Sequence, residues 1–399
     1  MLSETAKIRR YFEMMTRLFK DALLPSLASV IAVVLLFSPA LTSQQLPPAK
    51  AVSEASQEIT LLFMGDIMQH MPQVDAAWNN EKQQYDYDSC FSFVCSIISD
   101  ADIAVANLET TLAGKPYSGY PAFSSPDELV TGLIHAGVDI AGTANNHCCD
   151  RGKTGIERTV FILDSLGLRH MGTYTNENEY SNNNPLIINK KGFRLAFLNY
   201  TYGTNGIPVP KGNVVSLIEN DRMLHDLQAA RDSQPDKIVV FIHWGEEYQR
   251  VPNAFQQETA KFLFDNGADY IIGSHPHVIQ PMEWHKADSL QKERIVVWSL
   301  GNYISNQRNR YTDGGAMFSL TLRKAFGKTS VAGASYHLTW VYNPVSEGRR
   351  QYYILPAAKF ENDTLFPDGN AAAAMMNFLD DSRKLLGERN IGIGEALTK

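Results

Sequence analysis

The sequence predicts an α/β fold, and three observations point there. Short apolar runs alternate with helical stretches over most of the 399 residues. Those runs repeatedly end on Asp, Glu, Asn or His. Three strand-like segments without intervening helices lie near the C-terminus. Strands alternating with helices indicate sheets covered by helices. The composition, 44% hydrophobic and 20% charged, is that of a globular chain and excludes a disordered tail or a collagen-like repeat. A net charge of −7 without a Lys/Arg cluster argues against nucleic acid as a partner. Four cysteines are too few for a disulfide scaffold of this length.

Residues 1–42 read as a targeting segment. Lys7, Arg9, Arg10, Arg17 and Lys20 outnumber Glu4, Glu13 and Asp21 ahead of an uncharged run, Ala22 to Leu41. That run is long enough to span a bilayer, and the preceding positive charge keeps the N-terminus cytoplasmic. Two readings stand. One is a signal peptide, with small residues at Ser38 and Ala40 for cleavage; the other is a signal anchor that stays in the membrane. Both export the remainder, at a net charge near −9, to the cell surface or periplasm. Residues 43–57 are polar, contain Pro-Pro, and read as a linker. In that compartment Cys90 and Cys95 could pair, whereas the adjacent Cys148 and Cys149 pair poorly with each other.

The body opens with strands at 59–66, 102–109 and 138–147. A helix follows at 157–167, then a hairpin over 185–201 that turns at Lys191-Gly192. Next come a strand at 237–245, a helix at 253–267, and strands at 268–277 and 293–304. The C-terminal strands at 314–324, 334–343 and 350–358 precede a closing helix over 371–386. This tail, 311–399, reads as completing the same fold, by adding a second sheet to a sandwich, and not as a separate domain.

The chemistry-bearing residues sit at strand ends: Asp66, Glu109, Asn146, His147, His243, His275 and His277. In open α/β sheets the carboxyl ends of strands gather at one edge, where ligands bind. Histidine mixed with carboxylate suits Mn²⁺, Zn²⁺ or Fe. Each residue has an ordinary explanation: a turn acid at Asp66, a helix-start acid at Glu109, a polar turn at Asn145–His147, a core imidazole at His243. His275-Pro276-His277 after a glycine is harder to account for by packing, and the full set is hardest of all. The Gly152-Lys153-Thr154 sequence is not a phosphate loop, because that loop needs glycine where His147 stands. No G-x-S-x-G nucleophile turn is present.

The segments GDIMQH, VANLET, FSSP, TANNHCCDRG, IHWGEEY, GSHPHVIQP and WSLGNYIS together resemble the bacterial CapA family, over residues 58–310. That family is associated with poly-γ-glutamate capsule synthesis. The resemblance implies a metallophosphoesterase-like, four-layer α-β-β-α sandwich. It implies metal ligands at Asp66, Glu109, Asn146, His243, His275 and His277, holding one or two divalent ions. It implies His147 as the catalytic histidine, oriented by Asp150. One departure from the wider superfamily is Met68, where a histidine is expected. A thioether is a poor ligand for a hard cation, so one metal position is weakened, or Gln69 or His70 substitutes.

Two functions fit. The first is metal-dependent hydrolysis of a phosphoester or of a bond in a cell-surface polymer. The second is a non-catalytic, membrane-anchored component that binds an anionic polymer during synthesis or export, beside other capsule synthesis proteins. Trp244, Tyr248, Tyr303, Tyr200 and Tyr202 either line a groove or finish the core. Arg308 and Arg310 are candidates to receive an anionic group, and Glu246 and Glu247 read as solvated loop acids.

Overall fold

A computed structural model describes residues 56–289, 291–346, 348–363, 367 and 369–396. The expected targeting segment lies outside the described residues, as does the expected linker apart from its last two. Both large sheets and the site lie in one body, Ser56–Pro344 with Arg350–Lys399. Its main elements run β1 (Gln57–Ile67), α1 (Met71–Ala77), β2 (Ile103–Leu108), α2 (Glu128–Ala136), β3 (Ile140–Gly142), α3 (Gly152–Leu166) and β4 (Arg169–Met171). Then come β5 (Leu186–Lys190), β6 (Phe193–Thr201), α4 (Asn220–Asp232), β7 (Lys237–His243), α5 (Ala254–Asp265), β8 (Tyr270–Ser274), β9 (Met282–His285) and β10 (Arg294–Val297). The chain closes with β11 (Asn302–Ile304), β12 (Gly314–Ala325), β13 (Lys328–Tyr342), β14 (Tyr353–Pro356), α6 (Gly369–Arg389) and β15 (Gly394–Glu395).

Two sheets form. The first has the order β14-β13-β12-β1-β2-β3-β4, with β11 beside β1 and β15 beside β13. The second has the order β9-β10-β8-β7-β6-β5. Period-two alternation decides which side chains face which layer. Leu62, Met64, Ala104 and Ala106 pack outward with Leu129 and Leu133 of α2 and Leu163 of α3. Leu198, Val240 and Ile242 pack outward with Met223 and Leu227 of α4 and Leu263 of α5. Between the sheets, Phe63 of β1 meets Phe241 of β7 edge-on, with ring centroids 6.3 Å apart. The result is the four-layer α-β-β-α sandwich. β7 is buried along its whole length, which is why its sequence is an almost unbroken apolar run.

The hairpin between β5 and β6 turns where expected. Lys191 and Gly192 both have positive φ, 49° and 77°, the geometry of the tight turns that match strand twist. Three elements differ from the sequence reading. The third strand is only Ile140–Gly142, so Asn145–His147 stand on a loop beyond it. The expected strand over 293–304 is two strands in different sheets. β10 pairs with β8 and β9, whereas β11 pairs with β1. The chain crosses between sheets at Trp298–Gly301, where Gly301 has φ +70°. Finally, the tail does not form the second sheet. β12 pairs antiparallel with β1 from Gln57↔Lys324 to Met64↔Met317, so the tail widens the first sheet. The four cysteines are free thiols; Cys90 and Cys95 are not joined.

The crossing segment touches backbone on both sides. Asp66 N donates to Gly301 O and Leu300 N donates to Gly273 O, each at 3.0 Å. A Cβ at Gly65 would lie 2.0 Å from Gly301 O, and one at Gly273 would lie 2.1 Å from Trp298 O. Only glycine allows such approach. Gly65→Ala is therefore expected to destabilise the fold by about 3 kcal/mol or more, read as a lower urea midpoint with unchanged slope. A midpoint equal to wild type would show that the crossing can move aside.

Candidate metal centre

Parallel strands deliver the donors to one place. Asp66 lies near the end of β1, Glu109 just after β2, His243 at the end of β7, and His275 and His277 just after β8. Asn146 and His147 come from the loop after β3. The structure brings all of them together, and all are buried. Glu109 Oε1 is 3.6 Å from His243 Nε2 and 3.8 Å from His277 Nε2. His277 Nδ1 is 3.0 Å from Asp66 Oδ2. His243 Nε2 is 2.9 Å from Asn146 Oδ1. Ligand atoms of Glu109, His243 and His275 lie within 4.8 Å of one another, as do those of Asp66, Glu109 and His277. Glu109 belongs to both groups and sits between them.

The electrostatics suit a cation. Asp66 and Glu109 are fully buried side by side, and neither oxygen of Glu109 has a hydrogen-bond partner. Burial, and then the Asp66 charge, push the Glu109 carboxyl well above its ordinary range. Burial also holds His243 well below the usual imidazole value and pushes His275 down to about 3. Both rings are neutral near pH 7 and offer lone pairs. His275 Nδ1 is buried without a partner. Orphaned carboxylate oxygens beside an orphaned imidazole nitrogen fit a divalent metal with mixed N/O ligands. His275 and His277 have φ of +98° and +58°, strained values for non-glycine residues, and such strain marks functional turns.

The supporting shell was not visible in the strand-end pattern. Asn107 of β2 donates to Asp66 Oδ1 at 2.9 Å and sits 3.2 Å from His243 Nδ1. Ser274 Oγ is 3.0 Å from the same nitrogen. For Nε2 to keep its lone pair, Nδ1 carries the proton and Ser274 Oγ accepts it. A polar residue inside the run IAVANL was the one available signal for Asn107. His147 stands at the edge of the cluster. Its Nδ1 is 2.7 Å from Asp150 Oδ2, which also accepts from Phe123 N at 2.7 Å. The Phe123 ring meets His147 edge-on at 4.6 Å.

Several flanking residues separate by burial. Trp244, Tyr200 and Tyr303 are core residues, fully buried. Tyr202 and Tyr248 are 40% and 49% exposed beside the site; the Tyr202 ring lies 4.5 Å from that of His275. Arg308 is not an anion receptor: it donates to Val341 O and Ser305 O at 2.8 and 3.0 Å. Nor is Arg310, which forms a two-point ion pair with Asp381 at 2.7 and 2.9 Å. Of the two acids after Trp244, Glu247 is not merely solvated. Its carboxylate lies within 4.8 Å of ligand nitrogens of His275 and His277.

The model of the family described as "Bacterial capsule synthesis protein PGA_cap" matches residues 60–307. The chain belongs to this family. Relatives agree with the assignment. A capsule biosynthesis protein CapA from Bacillus anthracis is 29% identical over 281 residues, 67% of this chain and 65% of that protein. A PGA biosynthesis protein CapA from Bacillus subtilis is 26% identical over 285 residues, 70% of this chain and 71% of that protein. Among solved structures, the NAD nucleotidase of Haemophilus influenzae aligns at TM-score 0.46 and 12% identity, covering 86% of this chain and 64% of that one. The calcineurin-like phosphoesterase YfkN of Bacillus subtilis aligns at TM-score 0.40 and 14% identity, covering 71% and 90%.

A buried carboxylate without a cation is a liability in the family member described here. Chelation with EDTA is expected to lower its thermal midpoint. Glu109→Gln should reduce that sensitivity and leave the metal-free protein more stable than metal-free wild type, by a margin that grows as pH rises, read by urea unfolding. A metal-free Glu109→Gln protein less stable than metal-free wild type would count against an uncompensated charge at Glu109.

Proposed function

We propose that this PGA_cap family protein is a metal-dependent hydrolase of capsule biosynthesis, acting outside the cytoplasm on a phosphoester or on a bond of an anionic polymer. The observation that carries the reading is the convergence of Asp66, Glu109, Asn146, His243, His275 and His277 beside the His147–Asp150 pair. Those six residues would hold one or two ions of Mn²⁺, Zn²⁺ or Fe. A bound ion would supply a water acidic enough to attack at neutral pH and charge to polarise the scissile bond.

The protein's own residues do the rest. Asp150 accepts from His147 Nδ1 and steadies the imidazolium, the form whose Nε2 would hold a proton for the leaving oxygen. Phe123 presses on the imidazole and shields it from water. Asn107 and Ser274 hold Asp66 and His243 in place, as outer partners of metal ligands do. The half-exposed faces of Tyr202 and Tyr248 border the opening where substrate would enter.

The test uses the purified full chain loaded with Mn²⁺, on p-nitrophenyl phosphodiesters and on poly-γ-glutamate. His147→Ala should keep its metal and lose about 10²–10⁴-fold in kcat. Asp66→Ala should lose metal and activity together. A metal-loaded His147→Ala protein as active as wild type would sink the role of His147. A metal-loaded wild type inert on every bond tried, yet retaining poly-γ-glutamate only without chelator, would favour polymer handling over hydrolysis.

The location belongs to the same proposal and is supported by the uncharged run Ala22 to Leu41 with basic residues before it. Among the described residues no helix is long and apolar enough to cross a membrane. Alkaline phosphatase fused after residue 57 should be active in a bacterial host. An inactive fusion made at full length would place the body in the cytoplasm.

A further inference from the structure

The donors around Glu109 are unevenly shared. His243, His275 and Asn146 lie on one side, and Asp66 and His277 on the other. Met68 offers only a buried thioether. Of the two neighbours that could replace it, Gln69 is buried with both amide atoms unpartnered, and His70 is engaged elsewhere. The Gln69 side chain lines a cavity with Gln73, Tyr87 and Tyr352. His70 Nδ1 lies 3.2 Å from Gln73 Oε1 and 3.3 Å from Asn306 N, and His70 belongs to none of the metal-ligand groups among the described residues.

Glu247 is differently placed. Its carboxylate, with one ring nitrogen each from His275 and His277, forms a third group of ligand atoms within 4.8 Å of one another. It is exposed, whereas Glu109 is buried, so the two carboxylates approach the histidines from the solvent side and from the interior. The loop that carries it is built into the site. Tyr248 N donates to Pro276 O at 2.8 Å, which ties Glu247 to the turn between the two histidines. Tyr248 takes φ +66° to do so. Gln280 donates to Gln249 O and Val251 O at 2.8 and 3.2 Å and pins the loop's far end. The buried, unpartnered Nδ1 of His275 is a second sign that a ligand belongs at this spot.

We infer that Glu247 is a metal ligand of this protein, adding from solvent an anionic donor to the His275–His277 pair that offsets the donor lost at Met68. The inference rests on the metal reading above and adds to it a residue from outside the strand-end set. An anionic oxygen ligand at the mouth of the site favours a hard ion such as Mn²⁺ at that position. It also makes one ion the more exchangeable, because its last ligand comes from an exposed loop.

The experiment is Mn²⁺ titration of the metal-stripped full chain, by calorimetry and by the electron paramagnetic resonance of free Mn²⁺. Wild type, Glu247→Gln, Glu247→Ala and the neighbouring Glu246→Gln are compared. Both Glu247 variants should bind one Mn²⁺ at least about tenfold more weakly, while Glu246→Gln matches wild type. Both acids are exposed, so all variants should fold, which circular dichroism checks. If Glu247→Gln binds Mn²⁺ as wild type does at every site, the assignment of Glu247 is overturned and the metal reading survives. If wild type itself binds no Mn²⁺, both fall together.

Discussion

The architecture depends on backbone meeting backbone where the chain passes from one sheet to the other. Trp298–Gly301 runs between β8 and β1, and glycines at 65 and 273 let it approach within hydrogen-bond distance of both. A third glycine, Gly315, faces the carbonyls of Leu300 and Asn302 from β12. This contact holds together the ends of β1 and β8, the two strands that carry Asp66 and the His275–His277 turn. Side chains alone could join the sheets by interdigitation, as Phe63 and Phe241 do further along. They could not fix ligand atoms to within a few ångströms, which is what a metal centre requires.

From that constraint follows an electrostatic one. Bringing the strand ends together buries Asp66 and Glu109 beside each other with neutral imidazoles around them. In a protein interior this is unfavourable unless a positive charge completes it. The fold therefore spends packing and hydrogen-bonding energy to hold a buried acidic pair whose charge a cation or a proton must offset. Membership of the PGA_cap family relates the chain to capsule synthesis proteins.

Much of this was legible in the linear pattern. Apolar runs ending in Asp66, Glu109, His243 and His275 announced both the strands and the converging ligands, because a strand's last residue must lie at the sheet edge. The Lys191-Gly192 turn was readable because its backbone geometry is local. Burial sorted the aromatic residues, which sequence left open between groove and core. Asn107, Ser274 and Glu247 were not recovered, since each acts by meeting a side chain 30 or more positions away.

The sequence by itself determined the α/β class, the candidate residues at the strand ends and the methionine at position 68, since these depend on residue type and short-range periodicity. Only the tertiary structure decided that the tail widens the first sheet, that residues 293–304 divide between two sheets, and that Arg308 and Arg310 are engaged within the protein. Sheet order and inter-sheet docking are set by contacts between distant segments. A period of two tells a strand which of its faces is apolar, but not which strand will lie beside it.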